Sequence, residues 1–118
     1  MAGSPASLKL EHITKRPDFL RANAGRKAVS AVAVIRMIAS PFPKVDHCRV
    51  GFTVSKTCGN AVMRNRIKRR LRAAVANVWP THARAGYDYV IIGRAGSEQF
   101  AYTMILDELS KSLRKLHG

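Results

Sequence analysis

The chain has 118 residues, 47% of them hydrophobic, and sets 21 Lys plus Arg against 7 Asp plus Glu for a formal charge of +14. That length accommodates a single hydrophobic core, and that apolar content excludes intrinsic disorder. So much like charge repels itself, which makes a polyanion the fitting partner. The longest stretch without a formal charge, Ala73 to Ala83, is broken by Pro80 and falls short of the ~18 apolar residues of a membrane-spanning helix. Met1 to Ile13 has no apolar block of the secretory kind, so a cytoplasmic location is expected.

Residues 1 to 12 are small, polar and of mixed charge, and are expected to form a flexible arm ahead of one domain over residues 13 to 118. Thr14 is a candidate cap for a short first helix, with Pro17 in its first turn and Gly25 as its stop. Arg26 to Ile38 alternates as a strand does, and Ser30 is the place where it would divide in two. Pro41 and Pro43 make Ala39 to Asp46 a connection. Cys48, Val50, Phe52 and Val54 then alternate with Arg49, Gly51, Thr53 and Ser55, the cleanest strand pattern in the chain.

After Gly59 and Asn60 the period becomes helical, with Met63, Ile67, Leu71, Ala74, Val75 and Val78 on one side and Pro80 as the expected stop. Tyr89 to Ile92 is continuous apolar sequence and fits a central strand covered on both faces. Tyr102, Leu106, Leu109, Leu113 and Leu116 recur at helical spacing, which predicts a closing amphipathic helix. The order α-β-β-β-α-β-α is an α+β single domain. Cys48 and Cys58 have neither zinc nor redox spacing and read as buried or incidental thiols.

Six of the nine residues from Arg64 to Arg72 are basic. At ~100° per residue, Asn65, Arg66, Lys68, Arg69 and Arg72 gather opposite Ile67, Leu71 and Val78, while Arg64 and Arg70 flank the apolar stripe. Such a helix can lie on a sheet and present guanidinium groups, whose rigid fork matches phosphate oxygens at two points. No acid occurs from Arg49 to Thr81, so local pairs cannot relieve the repulsion. An anionic membrane or a calmodulin-like groove would also take a basic amphipathic helix, but the bulky interfacial aromatics are missing here. No nucleophile, paired-carboxylate or phosphate-loop motif occurs, and His12, His47, His82 and His117 are scattered, so catalytic and metal-binding residues are not expected in the chain.

Val50-Gly51-Phe52-Thr53-Val54-Ser55-Lys56 followed by Gly59-Asn60-Ala61-Val62-Met63-Arg64-Asn65-Arg66-Ile67-Lys68-Arg69-Arg70-Leu71-Arg72 closely resembles the signature of the bacterial ribonuclease P protein component family. The likeness extends over residues 13 to 116. It implies an α-β sandwich of the ribosomal protein S5 domain 2 type with a left-handed βαβ crossover, against the usual right-handed rule. It also implies an RNA-binding subunit that assists a catalytic RNA in removing the 5′ leader from precursor tRNA. The partners are then the ribonuclease P RNA and precursor tRNA, with one monomeric protein per RNA and neither DNA nor membrane. Magnesium would enter through the RNA, the protein alone binding no cofactor.

By position, the resemblance assigns Arg64, Asn65, Arg66, Lys68, Arg69, Arg70 and Arg72 to the catalytic RNA, and Phe19, Asn23, Arg36, Thr53 and Lys56 to the leader cleft. Asn23 and Arg36 stand where the family often has aromatics, which shifts the expected leader contact from stacking toward hydrogen bonding and phosphate attraction. Thr57, Cys58 and Ala73 are further departures that leave the basic helix intact. The alternative reading is a ribosomal or other structural RNA-binding protein.

Overall fold

A computed structural model describes residues 8–118, and in it three helices pack on the two faces of one five-stranded sheet. The elements are β1 (Lys9–His12), α1 (Arg16–Ala22), β2 (Arg26–Val29), β3 (Ala33–Ala39), β4 (His47–Thr53), α2 (Ala61–His82), β5 (Tyr87–Gly93) and α3 (Tyr102–His117). Strand order is β1-β4-β5-β3-β2, with β4 parallel to both β1 and β5, and β3 antiparallel to β5 and β2.

Alternation assigns the two faces. Ile35, Met37, Cys48, Val50, Tyr89 and Ile91 turn toward α2 and α3 and share a core with Ile67, Leu71, Val75, Trp79, Leu109 and Leu113. The opposite face is covered by α1 alone, where Ile13, Ala22 and Val90 are buried beneath Phe19, Ile38 and Ile92. Both faces of β5 are therefore covered, as its unbroken apolar run predicts. The β-like run from Arg26 divides where expected. Ser30 Oγ accepts from the Val32 and Ala33 amides and donates to the Ala33 carbonyl, closing a turn between β2 and β3.

Several expectations are corrected. Lys9–His12, assigned to the flexible arm, is a strand in register with His47–Val50, so the order becomes β-α-β-β-β-α-β-α; residues 1–7 of that arm lie outside the described residues. Lys15 rather than Thr14 precedes α1, with no side-chain cap. Pro80 does not stop α2, which continues to His82. Pro80 sits in the last turn, and exposed Ala76, whose carbonyl would have accepted from residue 80, lies on the solvent side. Along α3 the buried stripe is Ile105, Leu109, Ser112, Leu113 and Leu116, while Tyr102 is exposed and Leu106 only half-buried.

Candidate nucleic-acid interface

The basic helix starts cleanly because Asn60 caps it, its side chain accepting from the Met63 amide at 2.9 Å. Buried Ile67, Leu71, Ala74, Val75 and Val78 fix its rotation on the sheet. That rotation leaves Asn65, Arg66, Arg69 and Arg72 exposed, with Lys68 half-buried beside them. Arg64 is half-buried and its Nε is enclosed without a partner. Arg70 departs from the expected role: it turns to the protein itself, donating to the carbonyls of Glu98 and Phe100 at 2.8 and 2.5 Å. It clamps the turn ahead of α3 instead of facing outward.

No carboxylate relieves the exposed cations of α2. Glu11 pairs with Lys44, Asp46 with His47, Asp107 and Glu108 with Lys111, and Asp18 and Asp88 with Arg21 and Arg49. Glu98, the seventh, holds one carboxylate oxygen in the interior and is paired with no cation. The positive face of α2 is therefore left for an external anion.

Beside it lies a hollow of about 630 Å³, walled by His12, Thr14 and Phe19 on one side and by Lys68 and Arg72 on the other. Its floor is the edge of β4 beyond Val50, uncovered because β1 ends at His12 while β4 runs on to Thr53. The Arg72 guanidinium lies 5.8 Å from the centroid of the Phe52 ring, a cation–π contact that holds it over this floor. A second hollow of about 390 Å³, on the α1 side of the sheet, includes Thr14, Arg16, Phe19, Asn23, Thr53 and Ile92. Thr14 and Phe19 line both, so the two hollows flank the Phe19 side chain. Gly51 is what lets that ring settle: a Cβ there would stand 2.7 Å from Phe19 Cε1.

Of the residues assigned to the cleft, Phe19, Asn23 and Thr53 are brought together. Arg36 and Lys56 line neither hollow; Arg36 reaches the α1 end through the Asn23 carbonyl at 3.4 Å, and exposed Lys56 lies in the turn after β4. The sequence reading missed His12, Thr14 and Arg16, which acquire meaning only once β1 and α1 are placed.

It also missed what holds α1 in place. Asp88, fully buried in β5, accepts from Arg49 Nε and Nη2 at 2.9 and 2.6 Å and from Arg21 Nη2 at 2.8 Å. Asp18 completes the group, 2.9 Å from Arg21 and 3.2 Å from Arg49. Burial opposes the charge of Asp18, but the hydrogen bonds from Arg49 and Arg21 outweigh it and hold the carboxyl below its ordinary range. Arg49 is held above its already high value, first by its hydrogen bonds to Asp88. An acid inside an apolar strand was the available signal.

The chain matches the family model Ribonuclease P over residues 8–117. It is 45% identical over 111 residues to the ribonuclease P protein component of Paramagnetospirillum magneticum, covering 92% of this chain and 84% of that protein. To the ribonuclease P protein component of Caulobacter vibrioides it is 44% identical over 116 residues, covering 98% and 77%. The structure of a Staphylococcus aureus RNase P protein mutant with defective mRNA degradation activity is similar at a TM-score of 0.75 and 31% identity, over 88% of this chain and 86% of that one. The RNase P protein from Thermotoga maritima, at 22% identity and a TM-score of 0.76 over 92% and 99%, shares the fold. Sequence and architecture thus agree from β1 to the end of α3, and the chain belongs to the ribonuclease P protein family.

Proposed function

We infer that this chain is the protein subunit of ribonuclease P, the endoribonuclease that matures tRNA 5′ ends with its RNA as the catalytic component. Its partners are the ribonuclease P RNA and precursor tRNA. The observation that carries the reading is the exposed basic face of α2, which none of the seven carboxylates of the chain neutralises. Arg66, Arg69 and Arg72 meet phosphates of the catalytic RNA, with Asn65 and Lys68 alongside, and Arg64 at the margin. The hollows flanking Phe19 take the single-stranded leader, with Asn23 and Thr53 on their walls and Arg36 and Lys56 attracting phosphates from outside them. One monomer per RNA, acting in the cytoplasm, suffices. Magnesium belongs to the RNA in this scheme, since six of the seven carboxylates of the chain are engaged with its own cations.

Reconstitution tests this directly. With a bacterial ribonuclease P RNA the protein is expected to promote cleavage of precursor tRNA at low magnesium, and without that RNA to cleave nothing. Arg66→Glu with Arg69→Glu is expected to abolish the stimulation while leaving the circular dichroism spectrum unchanged. Full stimulation by the double variant would remove α2 from the RNA contact, and no stimulation by the native chain would favour a structural RNA-binding role.

A further inference from the structure

At the other end of the molecule from the basic half of α2, a hollow of about 410 Å³ opens between the α1–β2 turn, the end of β3, the start of β5 and the end of α3. Arg26, Arg84 and His117 line it, over an apolar floor that includes Met37 and Leu116. None of these three takes part in an ion pair among the described residues. The site is built rather than loose. Tyr89 Oη accepts from the Arg84 amide at 3.0 Å and meets His117 Nε2 at 2.7 Å, and the Tyr87 ring stands edge-on to His117 with centroids 5.4 Å apart.

The charged and titratable groups facing His117 are Tyr87, Tyr89, Arg84 and Arg26. Burial lowers the proton affinity of its ring, and the fields of Arg84 and Arg26 lower it further. An uncompensated positive potential therefore persists in this hollow. It is a separate place from the α2 face. The 22 residues of α2 span ~33 Å, and Trp79 near its far end packs edge-on against Tyr89 beneath the hollow. Arg66 is ~20 Å away along the helix, too far for one phosphate to serve both.

We propose that this hollow is a second RNA-phosphate subsite, in which Arg26 and Arg84 grip phosphodiester oxygens while Tyr87 and the apolar floor receive the adjoining ribose or base. It rests on the RNA-binding reading of the chain and adds a contact at the opposite end of the fold. A phosphodiester fits better than a free carboxylate because two guanidinium groups and the Tyr87 ring line one nucleotide-sized space.

The test uses the full chain, uridine 5′-monophosphate as the probe, and two RNAs in separate arms, a bacterial ribonuclease P RNA and a precursor tRNA. Addition of the nucleotide is expected to shift the amide resonances of Arg26 and Arg84 and to move the titration of the His117 ring upward. Arg26→Gln with Arg84→Gln is expected to abolish both shifts; the Arg84–Tyr89 bond uses the backbone amide and is kept. The same variant is expected to bind one of the two RNAs roughly tenfold more weakly, with a log–log salt slope shallower by roughly 0.7–0.9 for each phosphate it no longer neutralises. The arm that weakens identifies which RNA occupies the subsite. Native affinity and slope in both arms, with Arg66→Glu/Arg69→Glu still weakened, would overturn the subsite and leave the α2 interface standing; if that second variant also binds normally, the RNA-binding reading falls with it.

Discussion

Arg69 and Arg70 are sequence neighbours of identical chemistry, and the turn of α2 gives them opposite tasks. Arg69 is exposed, whereas Arg70 is half-buried and ties α2 to the turn before α3 through two backbone carbonyls. Hydrogen bonds from a charged donor each contribute about 1.5–3 kcal/mol net, more when the abandoned acceptors stay buried. Arg70→Ala is therefore expected to lower the unfolding free energy in urea by about 2–4 kcal/mol, with little effect on RNA affinity measured where the variant is folded. Arg69→Ala should do the reverse, leaving urea stability within about 0.5 kcal/mol of native and weakening the ribonuclease P RNA complex. Equal losses of stability in the two variants would contradict the assignment. Sequence spacing places Arg70 at the flank of the apolar stripe, and at a flank the choice between solvent and self depends on what the next element offers. Here that is the carbonyl-rich turn Ser97–Gln99 and Phe100, which helical periodicity does not reveal.

At the scale of elements, α1 is the least self-sufficient: seven residues, no side-chain cap, and few apolar contacts beyond Phe19 and Ala22. Its seat is the Asp18–Arg21–Arg49–Asp88 group, and this makes the cleft acid-sensitive. The Asp18 carboxyl is below its ordinary value in the fold, so the stability it confers is present above about pH 4 and is lost as pH falls, because the unfolded chain binds the proton first. His117 acts in the same direction at higher pH. Its lowered affinity keeps it neutral in the fold, so its contribution declines as pH falls through about 6.5, where the unfolded imidazole protonates. Urea titrations from pH 7 downward are expected to show a first decline that His117→Gln removes and a second that Asp18→Asn removes. A flat profile from pH 7 to pH 5 in the native chain would contradict the role given to His117. The elements themselves were mostly readable, since β3, β4, β5, α2 and α3 carry periodic apolar faces longer than a turn. β1 was not, because Lys9–His12 is a four-residue edge strand whose identity comes from pairing with His47–Val50, far away in the chain. Asp88 likewise means nothing until Arg49, opposite it across β4 and β5, is seen beside it.

For the whole molecule, electrostatics and folding are one problem. A charge of +14 is spread over a body 42 × 31 × 22 Å, and most of the acids are spent on α1, the β1 edge and α3. Both the α2 face and the Arg26–Arg84 hollow are left positive. At an ionic strength near 0.01 M the Debye length is about 30 Å, so these regions repel across much of the molecule. An anion that binds the native arrangement and not the unfolded chain stabilises by mass action, by about 2.7 kcal/mol when present at 100 times its Kd. Thermal unfolding followed by circular dichroism is therefore expected to shift upward on adding millimolar sulfate, more than on adding sodium chloride of equal ionic strength. Arg66→Glu/Arg69→Glu is expected to raise the midpoint in plain low-salt buffer and to shrink the sulfate increment, since the variant lowers the positive charge that the anion offsets. Working at millimolar concentration keeps general exclusion effects of sulfate small. If chloride and sulfate at matched ionic strength raise the midpoint equally, screening alone accounts for the stabilisation and the guanidinium clusters are not organised anion sites. A surplus for sulfate means that the fold holds these cations in geometries that a tetrahedral oxyanion, and by the same chemistry an RNA phosphate, can bridge.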